Sequence, residues 1–422
     1  MAEAEIGASA GSSLEDLAAR YGAAYPWLVA VTVLSAFSTV VLTSSIVNVA
    51  VPDVMGAFGV GQDQVQFIAT AFFATMTASL LISPWVVDKL GVQLTFSISL
   101  VLFAIGSLIS TFSPNLPVII FGRVVQGFGS GVMQPLVMMA LVQAFPPERR
   151  GMAMGIFSLG IVCAHGVGPY MGGLTIDAFH WRFIFLLPLP IVVFAFVMGL
   201  LFLPSRVKGT NASFDWLGFA LLSVSIFCMM TVIANGQRDG WFSDSILVTF
   251  LISLTTSAAF IITQIYGKTR MMEVALFRHI PFAAAIVISL VYGLVNFSAI
   301  YLYPVFGQLV QEYTPSAAGF LILPGALFAV LILPFTGRFA DAVPPQFGIG
   351  LGLILFGISN IILASSDIST MFWIIAMLIA LGRIGLAFMT PSMMSASLNT
   401  VPPEKIGEAS AIVNFMMLFG GA

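Results

Sequence analysis

The stretch Pro135 to Gly151, PLVMMALVQAFPPERRG, returns without a gap at Pro391 to Gly407 as PSMMSASLNTVPPEKIG. Beyond the leading proline, Met138, Ala140, Pro146, Pro147, Glu148 and Gly151 recur as Met394, Ala396, Pro402, Pro403, Glu404 and Gly407. Further upstream, Asp88 has a counterpart in Asp341 at nearly the same offset. A repeat of this length, lying in strongly apolar surroundings, predicts two homologous halves that share one architecture.

The surroundings say what that architecture is made of. Of the 422 residues 59% are hydrophobic and only 8% charged, where a globular domain carries about 25% charged residues. Mean hydropathy is +1.05. The apolar runs are about 18 to 26 residues long, enough to cross a hydrocarbon layer of ~30 Å as helix. In lipid the backbone must satisfy its own hydrogen bonds, so these runs read as transmembrane helices. They are expected at 27–51, 65–87, 93–112, 117–143, 152–173, 183–203, 215–234, 246–266, 281–309, 317–336, 347–364 and 370–395, with a further one beginning near 407.

Ser13 and Asp16 are placed to cap a short amphipathic turn bearing Leu14, Leu17, Ala18 and Tyr21. The acidic start of the chain lacks the basic segment of a cleavable signal, so residues 1–26 read as a cytoplasmic tail. That orientation puts Arg20, Lys89, Arg149, Arg150, Arg206, Lys208, Lys268, Arg270, Arg278, Arg338 and Lys405 on the inner side, with only Arg182 and Arg238 in outer loops. The positive-inside rule agrees with it. Arg123 and Arg383 alone among the basic residues sit inside helices. Cys163 and Cys228 lie in apolar runs and read as small buried hydrophobes rather than as a disulfide or metal framework.

Placing Pro135 in the fourth helix of one half makes Pro391 the fourth-helix proline of the other. Residues 27–203 then form a six-helix bundle, 204–268 a linker with two extra transmembrane helices, and 269–422 a second bundle. The register predicts fourteen spans for a complete protein, so the second bundle is expected to be incomplete at its C-terminus.

Several motifs resemble the fourteen-span drug:proton antiporters of the major facilitator superfamily, the EmrB/QacA type. FGRVVQGFGSG from Phe121 matches the fourth-helix pattern through Arg123, Gln126, Gly127 and Gly129. GPYMGG matches the fifth-helix antiporter motif through Gly168, Pro169, Gly172 and Gly173, and WRFIF from Trp181 is also similar. The resemblance implies an all-α transmembrane major facilitator fold in a bacterial inner membrane, exporting small amphipathic compounds by alternating access in exchange for protons. It implies no cofactor, leaves room for a periplasmic adaptor protein, and involves no nucleic acid. The chain also departs from the pattern: Thr43 and Ser45 stand where Asp and Thr are usual, and Pro84, Val92 and Gln93 alter the loop after the second helix. His165 and Pro188 replace a motif proline and an asparagine.

Particular residues follow. A buried guanidinium costs at least ~2.5 kcal/mol, so Arg123, with Gln126 on the same face, is expected to face a polar cavity and serve substrate or coupling; snorkelling to the interface is the plainer account. His165, mid-helix, is the titratable group suited to proton coupling, and a hydrogen-bonded core histidine is the alternative. Asn48, Phe72, Tyr292, Phe297, Tyr301 and Tyr303 are candidate lining. Arg383 adds a second intramembrane cation; with no mid-span carboxylate, the two arginines point to a cavity favouring neutral or anionic amphiphiles. Asp88, Lys89 and Gly91 with Asp341 and Arg338 read as inner-face gating groups or as solvated helix ends. The spacing of Gly127 with Gly131, and of Gly168 with Gly172, lets helices approach closely whether or not the contact gates. Facilitated uptake of a small metabolite and a non-transporting sensor or scaffold are the competing functions. An enzyme is disfavoured, since no nucleotide loop, zinc motif or nucleophile with its base is present.

Overall fold

A computed structural model of the protein describes residues 13–146, 149–205, 213–267, 269–272, 274–398, 401 and 406–422. Pro147, Glu148, Pro402, Pro403 and Glu404 of the repeat, the basic residues Arg206, Lys208, Lys268 and Lys405, and residues 1–12 of the expected tail lie outside the described residues.

The chain opens on the predicted turn. Helix α1 (Leu14–Tyr21) begins at a capping box in which Ser13 Oγ accepts from the Asp16 amide at 3.1 Å and Asp16 Oδ2 accepts from the Ser13 amide at 2.9 Å. Leu17 is buried, and Tyr21 meets Phe202 edge-on at 5.2 Å, so the turn lies on the bundle rather than free of it. Helix α2 (Tyr25–Ile46) tightens to 3-10 geometry over Val47–Ala50 and resumes as α3 (Val51–Phe58).

The second span differs from its expectation as one straight helix. It consists of α4 (Gln62–Val65), α5 (Phe67–Leu80) and α6 (Ser83–Leu90), and the 62–80 and 83–90 parts meet at a bend of 58°. Pro84 supplies the cause: it has no amide to give to Leu80, and its ring crowds that carbonyl. The bend is pinned where Ser83 Oγ donates to Val132 O at 2.6 Å. Gly91 then ends α6 at φ 79, a backbone that favours glycine, and its amide reaches Val87 O.

The first bundle is completed by α7 (Val92–Thr111), α8 (Leu116–Ala144), α9 (Arg150–Ala178) and α10 (Leu189–Phe202). Two further helices, α11 (Trp216–Asp239) and α12 (Asp244–Tyr266), form a hairpin packed on α5. The second bundle contains α13 (Ile280–Leu309), α14 (Pro315–Phe320), α15 (Leu323–Ala342), α16 (Pro345–Leu363), α17 (Phe372–Leu398) and α18 (Ile406–Gly421). Among the described residues eleven helices are long and apolar enough to cross a membrane, or twelve counting the bent pair as one span, and Ala409–Gly421 is a shorter apolar helix.

The two bundles pair their helices alike. In the first, α8 packs along both α5 and α7, and α2 packs along α9; in the second, α17 packs along both α15 and α16, and α13 along α18. Small residues set these approaches. A Cβ on Gly129 would lie 2.5 Å from Ser99 O, and one on Gly385, its counterpart in the repeat, would lie 2.6 Å from Gly352 O. Lipid provides no hydrophobic drive between helices, so association depends on this close backbone fit. The apolar side chains that the helices do not cover, such as Val193, Phe227, Leu251, Ile262, Leu331 and Ile361, are exposed, as a lipid-facing surface requires.

Candidate functional site

Helix α8 carries the first intramembrane arginine. Arg123 is 0% exposed. Its Nε donates to Ile68 O at 3.1 Å and its Nη1 to Gln126 Oε1 at 2.6 Å, while the guanidinium lies 4.0 Å from the Phe72 ring centre. Gln126 is held in turn, its Nε2 donating to Ser107 Oγ at 2.7 Å. The chain Ile68–Arg123–Gln126–Ser107 therefore ties α5, α8 and α7 together. Such a chain is stable in lipid because each member answers a group that water cannot reach. Arg123 Nη2 is buried without a partner among the described residues.

The second arginine has a different setting. Arg383 lies in the middle of α17, and its Nη1 donates to Asn296 Oδ1 of α13 at 2.9 Å. Both Nε and Nη2 are buried and have no partner among the described residues. Tyr292, whose hydroxyl accepts from Thr390 Oγ1 at 3.0 Å, and Tyr303, whose hydroxyl donates to Asn360 Oδ1 at 3.2 Å, stand on α13 on either side of Asn296 in sequence. The stem of Arg383 passes over Gly325 of α15, where an added Cβ would sit 2.9 Å from Arg383 Cγ.

His165 approaches the same region from α9. Its Nδ1 is 3.1 Å from Ile161 O; a carbonyl can only accept, so Nδ1 carries the hydrogen and the neutral ring leaves its lone pair on Nε2. Nε2 is buried without a partner among the described residues. The ring lies 6.0 Å from Phe297, which itself meets Phe73 edge-on at 4.6 Å. One aromatic of α13 thus contacts α9 and α5 of the opposite bundle.

Helix α9 has two small-residue faces. Gly168 and Gly172 lie against Ser45 and Ile46 of α2, whereas Gly166 meets Ala326, Gly173 meets Pro315 and the Pro169 carbonyl meets Gly319. The GPYMGG segment therefore sits between the bundles. Among the described residues, three hydrogen bonds between the bundles lie at one end of the helices. There Gln308 Nε2 donates to Val49 O at 2.8 Å, the Ser316 amide donates to Asp177 Oδ2 at 3.1 Å, and Gln62 Nε2 lies 3.3 Å from the Tyr301 hydroxyl.

The remaining sequence candidates are placed as follows. Asn48 is buried in the 3-10 turn after α2, with Oδ1 unpartnered among the described residues. Asp88 and Lys89 close α6 ahead of Gly91. Asp341 lies in the last turn of α15 and Arg338 in the turn before it, and no ion pair joins them among the described residues. Asp341 borders a surface depression with Pro344 and Ser395. Arg182, of WRFIF, donates through Nη2 to Ser113 O at 2.8 Å and lies over Trp181. Ser107, Asn296, Asn360 and Thr390 complete these contacts and are not singled out by any motif in the sequence. Asn296 had a visible signal, an amide in the middle of an otherwise apolar span. No group of three or more His, Cys, Asp or Glu able to hold a metal occurs among the described residues.

Comparison with known proteins matches this arrangement. The chain is 28% identical over 387 residues to the multidrug export protein EmrB of Haemophilus influenzae, covering 90% of this chain and 76% of that protein. It is 26% identical over 375 residues to the lincomycin resistance protein LmrB of Listeria innocua, covering 89% of this chain and 80% of that one. In fold it is similar to a crystal structure of the peptide transporter POT in complex with sulfate, with a TM-score of 0.71 at 16% identity, covering 97% of this chain and 90% of the other. The family model of the Major Facilitator Superfamily matches residues 28–422, and the chain belongs to that superfamily.

Proposed function

We propose that this transporter exports small amphipathic compounds from the bacterial cytoplasm by alternating access, in exchange for protons. The observation that carries the reading is the double face of α9. Gly168 and Gly172 bind it to its own bundle, and Gly166, Pro169 and Gly173 set it against α14 and α15 of the other. A helix smooth on both sides can rock against its neighbour without unfolding either bundle. The hydrogen bonds of Gln308, Ser316 and Gln62 hold one end of that interface closed, and their release would accompany opening there.

The names of the EmrB and LmrB relatives support multidrug-type export over uptake. The N-terminus belongs in the cytoplasm on this reading, which puts exposed Lys89, Arg149, Arg270, Arg278 and Arg338 on the inner face. Residues 27–203 and 269–422 act as the two rocking bodies, with Asp88, Lys89 and Gly91, and Arg338 with Asp341, at their inner helix ends. Arg123 and Gln126 brace the first body, Asn48 lies near the crossing, and His165 exchanges the proton. A partner adaptor on the outer side is compatible with this arrangement.

The test is substrate-driven proton release from the full chain in proteoliposomes, with flux followed in inverted vesicles. Accumulation of ethidium or 2-naphthylacetate in inverted vesicles, abolished by a protonophore, is the expected result. Flux only in the opposite sense would favour uptake of a metabolite. Proton release unchanged in His165→Ala would remove that residue from coupling.

A further inference from the structure

The two buried arginines differ in which edge of the guanidinium they leave unused. Arg123 spends Nε on Ile68 O and stacks its plane on Phe72. Arg383 spends only Nη1, and on a neutral amide; Nε and Nη2 are both buried and unpartnered among the described residues. Nε and Nη2 form the side of the guanidinium whose two N–H bonds run parallel, the edge that meets a carboxylate by paired hydrogen bonds.

Charge points the same way. An intramembrane arginine is costly and is retained where it pairs or lines a pathway. Among the described residues the ion pairs are those of Arg238 with Asp63 and Asp239, both exposed and distant in sequence from Arg383, and no carboxylate accompanies Arg383. Asn296 orients the guanidinium by accepting from Nη1, yet contributes no negative charge to offset it. Gly325 leaves room for the stem, and Phe297, next to Asn296 on α13, lies 6.0 Å from the His165 ring of the facing bundle.

We propose that Arg383 binds the carboxylate of an anionic amphipathic substrate through its Nε and Nη2 edge, with Asn296 as the residue that positions it. The assignment rests on the export reading for how a ligand reaches the site, since the bundles must part to admit it. The substrate class is an aromatic or aliphatic monocarboxylate, its apolar body lying against Phe297 and Tyr292.

Equilibrium binding to the full chain in lipid nanodiscs tests this with three probes of one shape: 2-naphthylacetate, 2-(2-naphthyl)ethanol and 2-(2-naphthyl)ethyltrimethylammonium. Protein-free nanodiscs correct for partition into lipid. Wild type is expected to bind the carboxylate about tenfold or more tighter than the ammonium. Arg383→Gln should lower carboxylate affinity by about tenfold while leaving the alcohol within about twofold, and Arg383→Lys, which keeps the charge without the fork, should fall between. Asn296→Ala should weaken the carboxylate several-fold and leave the alcohol unchanged. Ammonium bound as tightly as carboxylate by wild type overturns the assignment. So does unchanged carboxylate affinity in Arg383→Gln, which would mean that water alone serves Nε and Nη2. If Arg383→Gln does not fold, the wild-type order of the probes and Asn296→Ala decide. Inverted vesicles separate this from the export reading: ammonium exported in preference to carboxylate leaves export standing and the assignment lost. Carboxylate bound in an Arg383-dependent way but never moved leaves the assignment standing and export lost.

Discussion

The fourth helices of the two bundles, α8 and α17, share a frame and differ in where they carry their charge. The register that places Pro391 on Pro135 puts Gly385 on Gly129, and each glycine packs against the preceding helix of its own bundle. That same register puts Arg383 on Gly127, one turn beyond the position of Arg123. The neighbouring helix answers the shift. Gly127 lies against the backbone of Phe72 of α5, whose ring faces Arg123, while Arg383 lies over Gly325 of α15, and the offset that relates Asp88 to Asp341 relates Phe72 to Gly325. In the first bundle α5 gives the guanidinium a ring to stack on; in the second, α15 has glycine at the equivalent position and the guanidinium's stem passes over it. Moving a guanidinium by a turn between close-packed helices requires a space for it, and the exchange provides one. The first arginine thereby becomes a brace among three helices, and the second keeps an unused edge.

The difference can be broken most severely at the exchange itself. Gly325→Phe, which restores the large residue of the first bundle opposite Arg383, should cost about 3 kcal/mol by overpacking. Adding Arg383→Gly should recover part of that loss, because residues in contact couple; thermal unfolding in detergent of the two single variants and the double reads both numbers. Strict additivity would show that Phe72 and Gly325 are not equivalent positions.

A smaller effect is expected on the bracing side. Arg123→Leu takes the side-chain donor from Ile68 O and strands Gln126 Oε1 in lipid-shielded surroundings, and should destabilise by about 2 kcal/mol. It should depress transport of carboxylate, alcohol and ammonium probes alike, since its loss loosens packing instead of removing a ligand contact. A selective loss of one probe class would reverse the roles assigned to the two arginines.

Smaller again, Phe72→Leu removes the ring beneath Arg123 and should cost about 1 kcal/mol beyond the change in packing. Arg123→Lys examined in the same background should show whether the loss is the ring's attraction for the cation. Least of all, Asn296→Ala should shift stability by about 0.6 kcal/mol, the usual scale of a hydrogen bond between membrane helices. Its stability effect should thus be small where its effect on carboxylate binding is several-fold.

Hydropathy alone located the spans because the bilayer offers the backbone no water, so an apolar run of sufficient length has helix as its outcome. The capping box at Ser13 was legible for an equally local reason. The 58° bend in the second span is not legible in the sequence, although Pro84 stands there; a proline in a membrane helix bends it only as far as its neighbours allow, and here Ser83 bonding to Val132 fixes the outcome. Among the polar residues, Arg123, Gln126, His165 and Arg383 were visible as intramembrane polar groups. Their partners were less so, since Ser107 and Thr390 are ordinary in membrane helices and their importance comes from what lies across the contact.

By itself the sequence determined that the chain lies in lipid, that it repeats an architecture, and which few side chains carry cost there, because composition, periodicity and buried charge are properties of each segment taken alone. Only the tertiary structure decided what each costly side chain does. Arg123 and Arg383 are the same residue in closely similar helices, and their hydrogen-bonding edges are filled or left unused by groups that come from other helices, brought near by packing that no single segment contains.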